Sequence, residues 1–260
     1  MRLLVLGLLL LAACAPDPAP PAAEVRDADA GSAFALSTDS LVIVQGPILF
    51  TVAIGYPQVR GAAGEPLPAA VRAVNQAIRD SVRSLADLLR PEPPPPGVDS
   101  VPTEVDLRGG PARSFVADDV LSVLVSIDTY TGGSIPNTFF LPLTFDLGTG
   151  RALAPADLFR PGTPWADTVA AWTERGTLAR LAAERRMSPA QARASFYAPA
   201  LNRLRAGDVT VTLGRDSLRV HVPPYQLSSL AERSLDLGVP YAAVAPMARP
   251  GGVLARRVGR

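Results

Sequence analysis

Two apolar stretches decide the fold of this chain: Val120-Leu-Ser-Val-Leu-Val-Ser-Ile-Asp-Thr-Tyr130 and Thr138-Phe-Phe-Leu-Pro-Leu-Thr-Phe-Asp146. Both are rich in β-branched or aromatic residues, which is typical of strands. Large apolar side chains alternate along the second stretch, at Phe139, Leu141, Leu143 and Phe145. Such alternation indicates one buried face. We therefore predict a pair of strands joined by the loop Thr131-Gly-Gly-Ser-Ile-Pro-Asn137.

The N-terminal part of the chain carries signals for two more strands and a helix. Leu41-Val-Ile-Val44 and Thr51-Val-Ala-Ile-Gly-Tyr56 are apolar, β-branched and bounded by glycine or proline, which predicts strands. From Pro68 to Arg90, apolar residues recur every three or four positions, so we expect an amphipathic helix that packs on the sheet. Pro91 ends this helix, because proline cannot continue one.

The C-terminal part predicts helices followed by a hairpin. Thr163 is placed to cap a long helix, and Ser188 with Gln191 matches a capping box at the start of a shorter one. Residues 209–222 alternate in a way that is typical of a β-hairpin. The alternation buries the valines and leucines and puts His221 on the outer face. We therefore predict a solvent-exposed histidine.

These elements indicate an α+β fold with antiparallel sheets, helices packed on one face, and two linked subdomains. We assign residues 38–110 to an N-terminal α+β subdomain and residues 111–249 to a C-terminal α+β domain. Residues 250–260 are expected to form a flexible, solvated tail. Its arginines are Arg256, Arg257 and Arg260.

The first fourteen residues resemble a bacterial lipoprotein signal. Arg2 precedes an apolar run from Leu3 to Leu11, which is about half of the roughly 20 residues that a membrane span needs. Small residues then lead to Cys14, the only cysteine of the chain, as a cleavage site requires. We assign residues 1–14 to a lipoprotein signal that ends at the lipidated Cys14.

Residues 15–37 are mostly proline, alanine and aspartate, and this composition predicts a disordered spacer. Lipidation at Cys14 implies an extracytoplasmic protein that is anchored to a membrane by its acyl chains. Ala15, in place of aspartate, favours the outer membrane, facing the periplasm, in a Gram-negative cell.

The composition argues against several classes of function. The net charge is +1 and no basic stripe occurs, so we expect no nucleic-acid partner. A chain with one histidine and one cysteine lacks the usual ligand sets for zinc, haem or iron–sulfur clusters. We therefore predict neither a metal site nor a cofactor.

Motifs for catalysis are also missing from the sequence. No Gly-x-Ser-x-Gly elbow accompanies His221, so we expect a non-enzymatic protein without catalytic residues. A cell-wall hydrolase that uses carboxylates is the alternative, with Asp118 and Asp119, or Asp128, as candidates. Adjacent strand residues point to opposite faces, which argues against shared acid and base work by the first two.

Four segments resemble, in order and spacing, an uncharacterised bacterial domain family. They are Tyr130–Asn137, Phe145–Gly150, Pro155–Phe159 and Val222–Tyr225. This family forms the extracytoplasmic part of the lysozyme-sensing anti-sigma factor of Gram-positive bacteria, and it also occurs beside peptidoglycan deacetylase domains. Tyr56-Pro-Gln58 and Asn75 are similar to the companion domain that usually precedes it. The resemblance covers residues 38–248.

The resemblance implies a binding or sensing module for a lysozyme-like protein or a cell-wall glycan, held at the membrane through Cys14. Ser134 and Ile135 stand where the family commonly has Ala-His, so any role of that histidine is absent here. Loops on rigid sheets often carry ligand contacts, although a plain turn is the structural alternative. The candidate ligand-binding residues are Tyr130, Gly132, Gly133, Pro136, Asn137 and Tyr225. A structural role in envelope assembly is a further alternative.

Overall fold

A computed structural model of the chain describes residues 25–28, 32–45, 49–62, 64–92, 104–131 and 136–258. The predicted signal with Cys14, most of the predicted spacer, and Gly132 and Gly133 lie outside these residues. The strands are β1 (Val25–Ala28), β2 (Phe34–Gln45), β3 (Phe50–Gly61), β4 (Val105–Ala117), β5 (Val120–Tyr130), β6 (Asn137–Asp146), β7 (Arg151–Ala152), β8 (Thr210–Leu213), β9 (Ser217–Val222) and β10 (Leu235–Pro240). The helices are α1 (Ala69–Leu88), α2 (Trp165–Arg185), α3 (Pro189–Ala194), α4 (Ala198–Arg205), α5 (Tyr241–Val244) and α6 (Val253–Val258), with 3₁₀ turns at Pro155–Leu158 and Ala245–Met247.

These strands form a long sheet and a small sheet, and the α+β class is confirmed. The long sheet has the order β2-β3-β4-β5-β6-β7, with β1 paired to β4, and the small sheet has the order β10-β9-β8. The long sheet is mixed rather than antiparallel throughout, because β4 pairs in parallel with both β3 and β1. A parallel pair needs a long crossover, and α1 supplies it between β3 and β4.

The long sheet crosses the boundary predicted between the two subdomains. That boundary, after residue 110, falls inside β4. The core under α1 also draws on both sides of it, since Val74 and Ile78 of the helix pack in the same buried cluster as Ile54 of β3 and Val125 of β5. The division into residues 38–110 and 111–249 is therefore corrected: the two blocks share one sheet.

The predicted amphipathic helix is confirmed as α1, and Asn75 has a structural role on it. Its side-chain oxygen accepts from the Val59 N–H at 2.8 Å, and its amide nitrogen donates to the Val59 carbonyl at 2.9 Å. Strand β4 pairs with β3 only as far as Ile54. Asn75 thus satisfies backbone groups of Val59 on the edge of β3 opposite β2, where β4 no longer pairs, as buried backbone requires.

The small sheet lies between the long sheet and α2. The Leu213 N–H donates to Ser122 Oγ of β5 at 2.8 Å, which joins the two sheets. On the opposite side, Leu237 lies against Gly176 of α2, where an added Cβ would be 3.2 Å from its methyl group. The helix continues through Gly176 without a break. The predicted cap at Thr163 is wrong, because its hydroxyl donates back to the Arg160 carbonyl; the capping box of Ser188 is confirmed.

Both ends of the folded part extend further than the composition indicates. The predicted spacer is corrected at its C-terminal end, where β1 pairs with β4 and β2 begins at Phe34. The predicted flexible tail is corrected too, because α6 buries Val253, Leu254 and Arg257. Two apolar side chains that complete the core outweigh the polar appearance of this segment. Within the described residues, no helix is both long enough and apolar enough to cross a membrane.

Candidate functional site

The small sheet covers only part of one face of the long sheet. Along β5, odd-numbered residues such as Val123 and Val125 face α1, whereas Val120 packs in the core with the small sheet. On the face of β5 that carries Val120, farther along the strand, Ser126 and Asp128 are not covered by the small sheet and line open space. The uncovered part is the floor of the candidate site, and the small sheet is its wall.

Two adjacent cavities occupy this space. We call the one of about 370 Å³ against β4 the inner cavity and the one of about 780 Å³ near the start of β6 the outer cleft. Asp128, Thr138 and Phe140 line both. Both volumes fall in the range of small-molecule pockets, which is roughly 300–1,000 Å³.

The inner cavity exists because β4 has almost no side chains there. It is lined by the segment Gly109-Gly-Pro-Ala112, and β4 has a bulge between Pro111 and Arg113. A Cβ added at Gly110 would meet no heavy atom within 4 Å. Bulges often redirect a side chain next to a functional site, and here the redirected one is Arg113, which lines the cavity.

Asp236 is the centre of a charged cluster in the cavity wall. It accepts from Arg113 Nη2 at 2.7 Å and Nε at 3.0 Å, and from Arg219 Nε at 2.8 Å. Burial alone would raise the pKa of Asp236, but the charges of His221, Arg219 and Arg113 outweigh it and lower the pKa. Asp236 is therefore an anion that locks the small sheet to β4.

His221 is buried, and the prediction that it faces solvent is wrong. Its Nε2 is 2.7 Å from Thr212 Oγ1, and its Nδ1 is 3.7 Å from an Asp236 carboxylate oxygen. The ring meets Phe140 of β6 edge-on, with 6.3 Å between centroids. The outer face of the hairpin is thus covered by the long sheet. Burial lowers the pKa of His221 to about 4; the negative charge of Asp236 opposes this shift, and the positive charges of Arg113 and Arg219 add to it.

The pKa of His221 predicts an acid-sensitive fold. The folded state has the lower pKa, so the unfolded state takes up the proton first as the pH falls from 6.5, and stability is lost until about pH 4. At 1.36 kcal/mol per pKa unit, the loss attributable to His221 between pH 7 and pH 4.5 is about 2 kcal/mol. We expect urea unfolding to show this extra loss in the wild type relative to His221→Gln. Equal pH dependence of the two proteins would contradict the assignment.

The outer cleft has a protruding aromatic residue on its wall. Tyr225 is 48% exposed, and its φ is 59°, a left-handed conformation that residues other than glycine rarely adopt. It follows Pro224 in a turn closed by the Gln226 N–H and the Pro223 carbonyl at 3.3 Å. Phe139 lines the same cleft and is 45% exposed, so the predicted burial of that residue is wrong.

The structure brings together three of the predicted ligand-binding residues. Pro136, Asn137 and Tyr225 all line the outer cleft, although about ninety residues separate the last from the others. Tyr130 is partly exposed at the end of β5 and does not line either cavity. Gly132 and Gly133 lie outside the described residues, so their role stays a prediction.

The three aspartates that are candidates for a hydrolase have different bonding partners and lie in different places. Asp118 accepts from Ser32 Oγ and from the Ala33 N–H, which ties down the start of β2. Asp119 is bound by Arg256 and Arg257 of α6. Asp128 lies in the site, where it accepts from Thr138 Oγ1 at 2.7 Å. Within the described residues, no three His, Cys, Asp or Glu side chains converge as metal ligands would.

Sequence reasoning missed Arg113, Arg219 and Asp236. The alternation of Leu235, Asp236 and Leu237 is a signal for strand β10, but only the pairing of β10 with β9 makes Asp236 the register partner of His221. No sequence signal indicates Arg113, which is 123 residues away from Asp236.

The fold is similar to that of solved bacterial proteins. A DUF3298 family protein from Pseudomonas aeruginosa aligns with a TM-score of 0.53 and 15% sequence identity, over 83% of this chain and 95% of that one. A member of the same family from Bacteroides fragilis gives a TM-score of 0.48 and 13% identity, over 88% and 100% of the two chains. No protein-family model and no curated protein matches the sequence. The likeness supports the fold of an uncharacterised bacterial domain; the resemblance to the lysozyme-sensing anti-sigma factor stays a prediction.

Proposed function

We propose that this chain is a non-enzymatic, lipid-anchored protein of the cell envelope that binds a cell-wall glycan in the outer cleft. The observation that carries the proposal is the cleft itself, about 780 Å³ in volume and lined by the exposed ring of Tyr225 and the half-buried Phe140, next to carboxylate and amide groups. Concave sites with apolar walls and a few convergent polar groups are the usual form of ligand sites.

The lining of the outer cleft fits the chemistry of sugars. Sugar rings present apolar C–H faces, which pack on aromatic rings such as Tyr225 and Phe140, and hydroxyl groups, which bond to side chains such as Asp128, Thr138 and Gln226. Among the described residues that line this cleft there is no arginine, so a polyphosphate or nucleic-acid ligand would find no positive charge.

Tyr225 is held in position before any ligand arrives. It occupies the third position of a turn that requires positive φ and that normally has glycine or asparagine there. Its own N–H donates to the Ala231 carbonyl at 2.8 Å, which fixes the turn. A strained residue is retained where the surrounding structure enforces it, and such residues cluster at ligand sites. This favours a binding role for the ring.

Replacing Tyr225 with glycine tests the proposal. We expect the affinity for soluble peptidoglycan fragments, measured by calorimetry on the full-length chain in detergent, to fall by at least about tenfold. Stability should stay within about 1 kcal/mol of the wild type, because glycine relieves the left-handed conformation while the lost ring contacts oppose that gain.

The matched control is Tyr197→Ala, because Tyr197 is another exposed tyrosine and does not line either cavity. It should leave binding unchanged. Full affinity of the glycine variant at position 225 would refute the outer cleft as the glycan site.

Two alternatives come from the sequence rather than from the geometry. The hypothesis that the ligand is a lysozyme-like protein rests on the family resemblance. Calorimetry with a purified lysozyme in place of the glycan tests it. A hydrolase would need Asp128, the candidate carboxylate in the site. Release of soluble fragments by the wild type and its loss in Asp128→Asn would support that alternative over the binding protein.

A further inference from the structure

We infer that the inner cavity selects the acetamido group of an N-acetylated amino sugar when the glycan lies in the outer cleft. This inference rests on the proposed function and names the class of sugar. The two cavities share Asp128, Thr138 and Phe140 in their linings, so a sugar in the outer cleft would lie next to the inner cavity and could direct a substituent toward it.

The inner cavity has an apolar part and a polar part. Pro111, Leu124 and Phe140 supply apolar surface. Arg113 supplies a donor, and the Asp128 carboxylate supplies an acceptor on the facing strand. A group that fits must therefore combine a small apolar end with one hydrogen-bond acceptor and one donor.

The charge in the cavity lining argues against an acidic substituent. The lining contains Arg113 together with the carboxylates Asp128 and Asp236. His221 also lines the cavity and is neutral near pH 7, because burial lowers its pKa. Arg219 also donates to Asp236, so two arginines and two aspartates sum to zero and the cavity offers no net positive charge to a carboxylate or phosphate on the ligand. The substituent is therefore neutral.

An acetamido group satisfies these requirements. Its methyl group suits the apolar part, its carbonyl accepts from Arg113, and its N–H donates to Asp128. A sugar that carries a hydroxyl in this place fills less of the apolar part and makes fewer of these bonds. Arg113 is mostly buried and Asp128 is exposed, so the lost affinity comes chiefly from the bond to Arg113 and from the apolar contact.

The test compares two tetrasaccharides on the full-length chain in detergent. We expect the tetramer of N-acetylglucosamine to bind about tenfold or more tightly than the glucose tetramer. Gly110→Leu fills the cavity from β4, where an added Cβ meets no heavy atom within 4 Å, and should abolish this preference. Ser126 is the register partner of Gly110 on β5, so Ser126→Val fills the same cavity from the other strand. It should also abolish the preference, and it replaces the first variant if that one does not fold.

Each outcome separates the inference from the proposed function. Equal affinity for the two tetramers, or a preference that survives in both cavity-filled variants, overturns the inference and leaves glycan binding intact. Tighter binding of the deacetylated glucosamine tetramer also overturns it, because an ammonium group would then be the selected substituent. Binding of none of these tetramers, with Tyr225→Gly equal to the wild type on peptidoglycan fragments, overturns the proposed function itself.

Discussion

Gly109→Ala is expected to lower the free energy of unfolding by about 3 kcal/mol or more, the upper range of overpacking costs. A Cβ at this position would lie 2.1 Å from the carbonyl oxygen of Ser126 and 2.9 Å from the Cα of Ile127. Both atoms belong to the backbone of β5, so neither can rotate away. The two strands would have to separate at the centre of the long sheet.

Gly110→Ala is the matched control, one residue farther along the same strand. Its Cβ points into the inner cavity, so we expect a change of less than about 1 kcal/mol, in either direction. Thermal unfolding of the two variants measures the difference. In a domain of this size about 3 kcal/mol corresponds to roughly 6–12 °C in Tm. Similar Tm values for the two variants would contradict the close approach of the β4 and β5 backbones at Gly109.

Removal of α6 is the second change with a large expected effect. A chain that ends at Arg249 loses Val253, Leu254 and Arg257, all of which are buried. Burial of each of these two apolar side chains contributes about 1.5–3 kcal/mol, so we expect a loss of at least about 3 kcal/mol or failure to fold. The truncation also leaves Asp119 without the two arginines that bind it.

Two further variants keep this prediction measurable. A chain that ends at Val258 retains α6 and should have the Tm of the full chain. Leu254→Ala leaves the helix and its arginines in place and should cost about 2–5 kcal/mol in urea unfolding, because the side chain is fully buried. Wild-type stability of the chain that ends at Arg249 would restore the sequence-based view of a flexible tail.

The ends of the folded part also bear on how ligand binding is measured. A soluble fragment cut at the boundaries predicted from the sequence, residues 38–249, lacks β1, the first four residues of β2, and α6. It would also lose the bonds that Asp118 makes to Ser32 and Ala33. We expect this fragment to be unstable, so the binding measurements call for the full-length chain.

The amino-acid sequence by itself determined most of the secondary structure. The stripe along α1, the pair β5 and β6, the capping box at Ser188 and the final hairpin were all correctly predicted. Each of these signals is local: periodicity and capping depend on residues a few positions apart. The sequence also indicated the residues Pro136, Asn137 and Tyr225, which line one cleft.

The tertiary structure alone decided which polar faces are covered. Alternation of apolar and polar residues along a strand shows that one face is apolar. It does not show whether another layer of the structure covers the polar face. His221 is buried because Asp236, Arg113 and Phe140 meet it from β10, β4 and β6. The inner cavity likewise depends on the absence of a side chain at Gly110 of β4 and on the position at which the small sheet ends. These are pairings between residues up to 123 positions apart, and no local pattern encodes them.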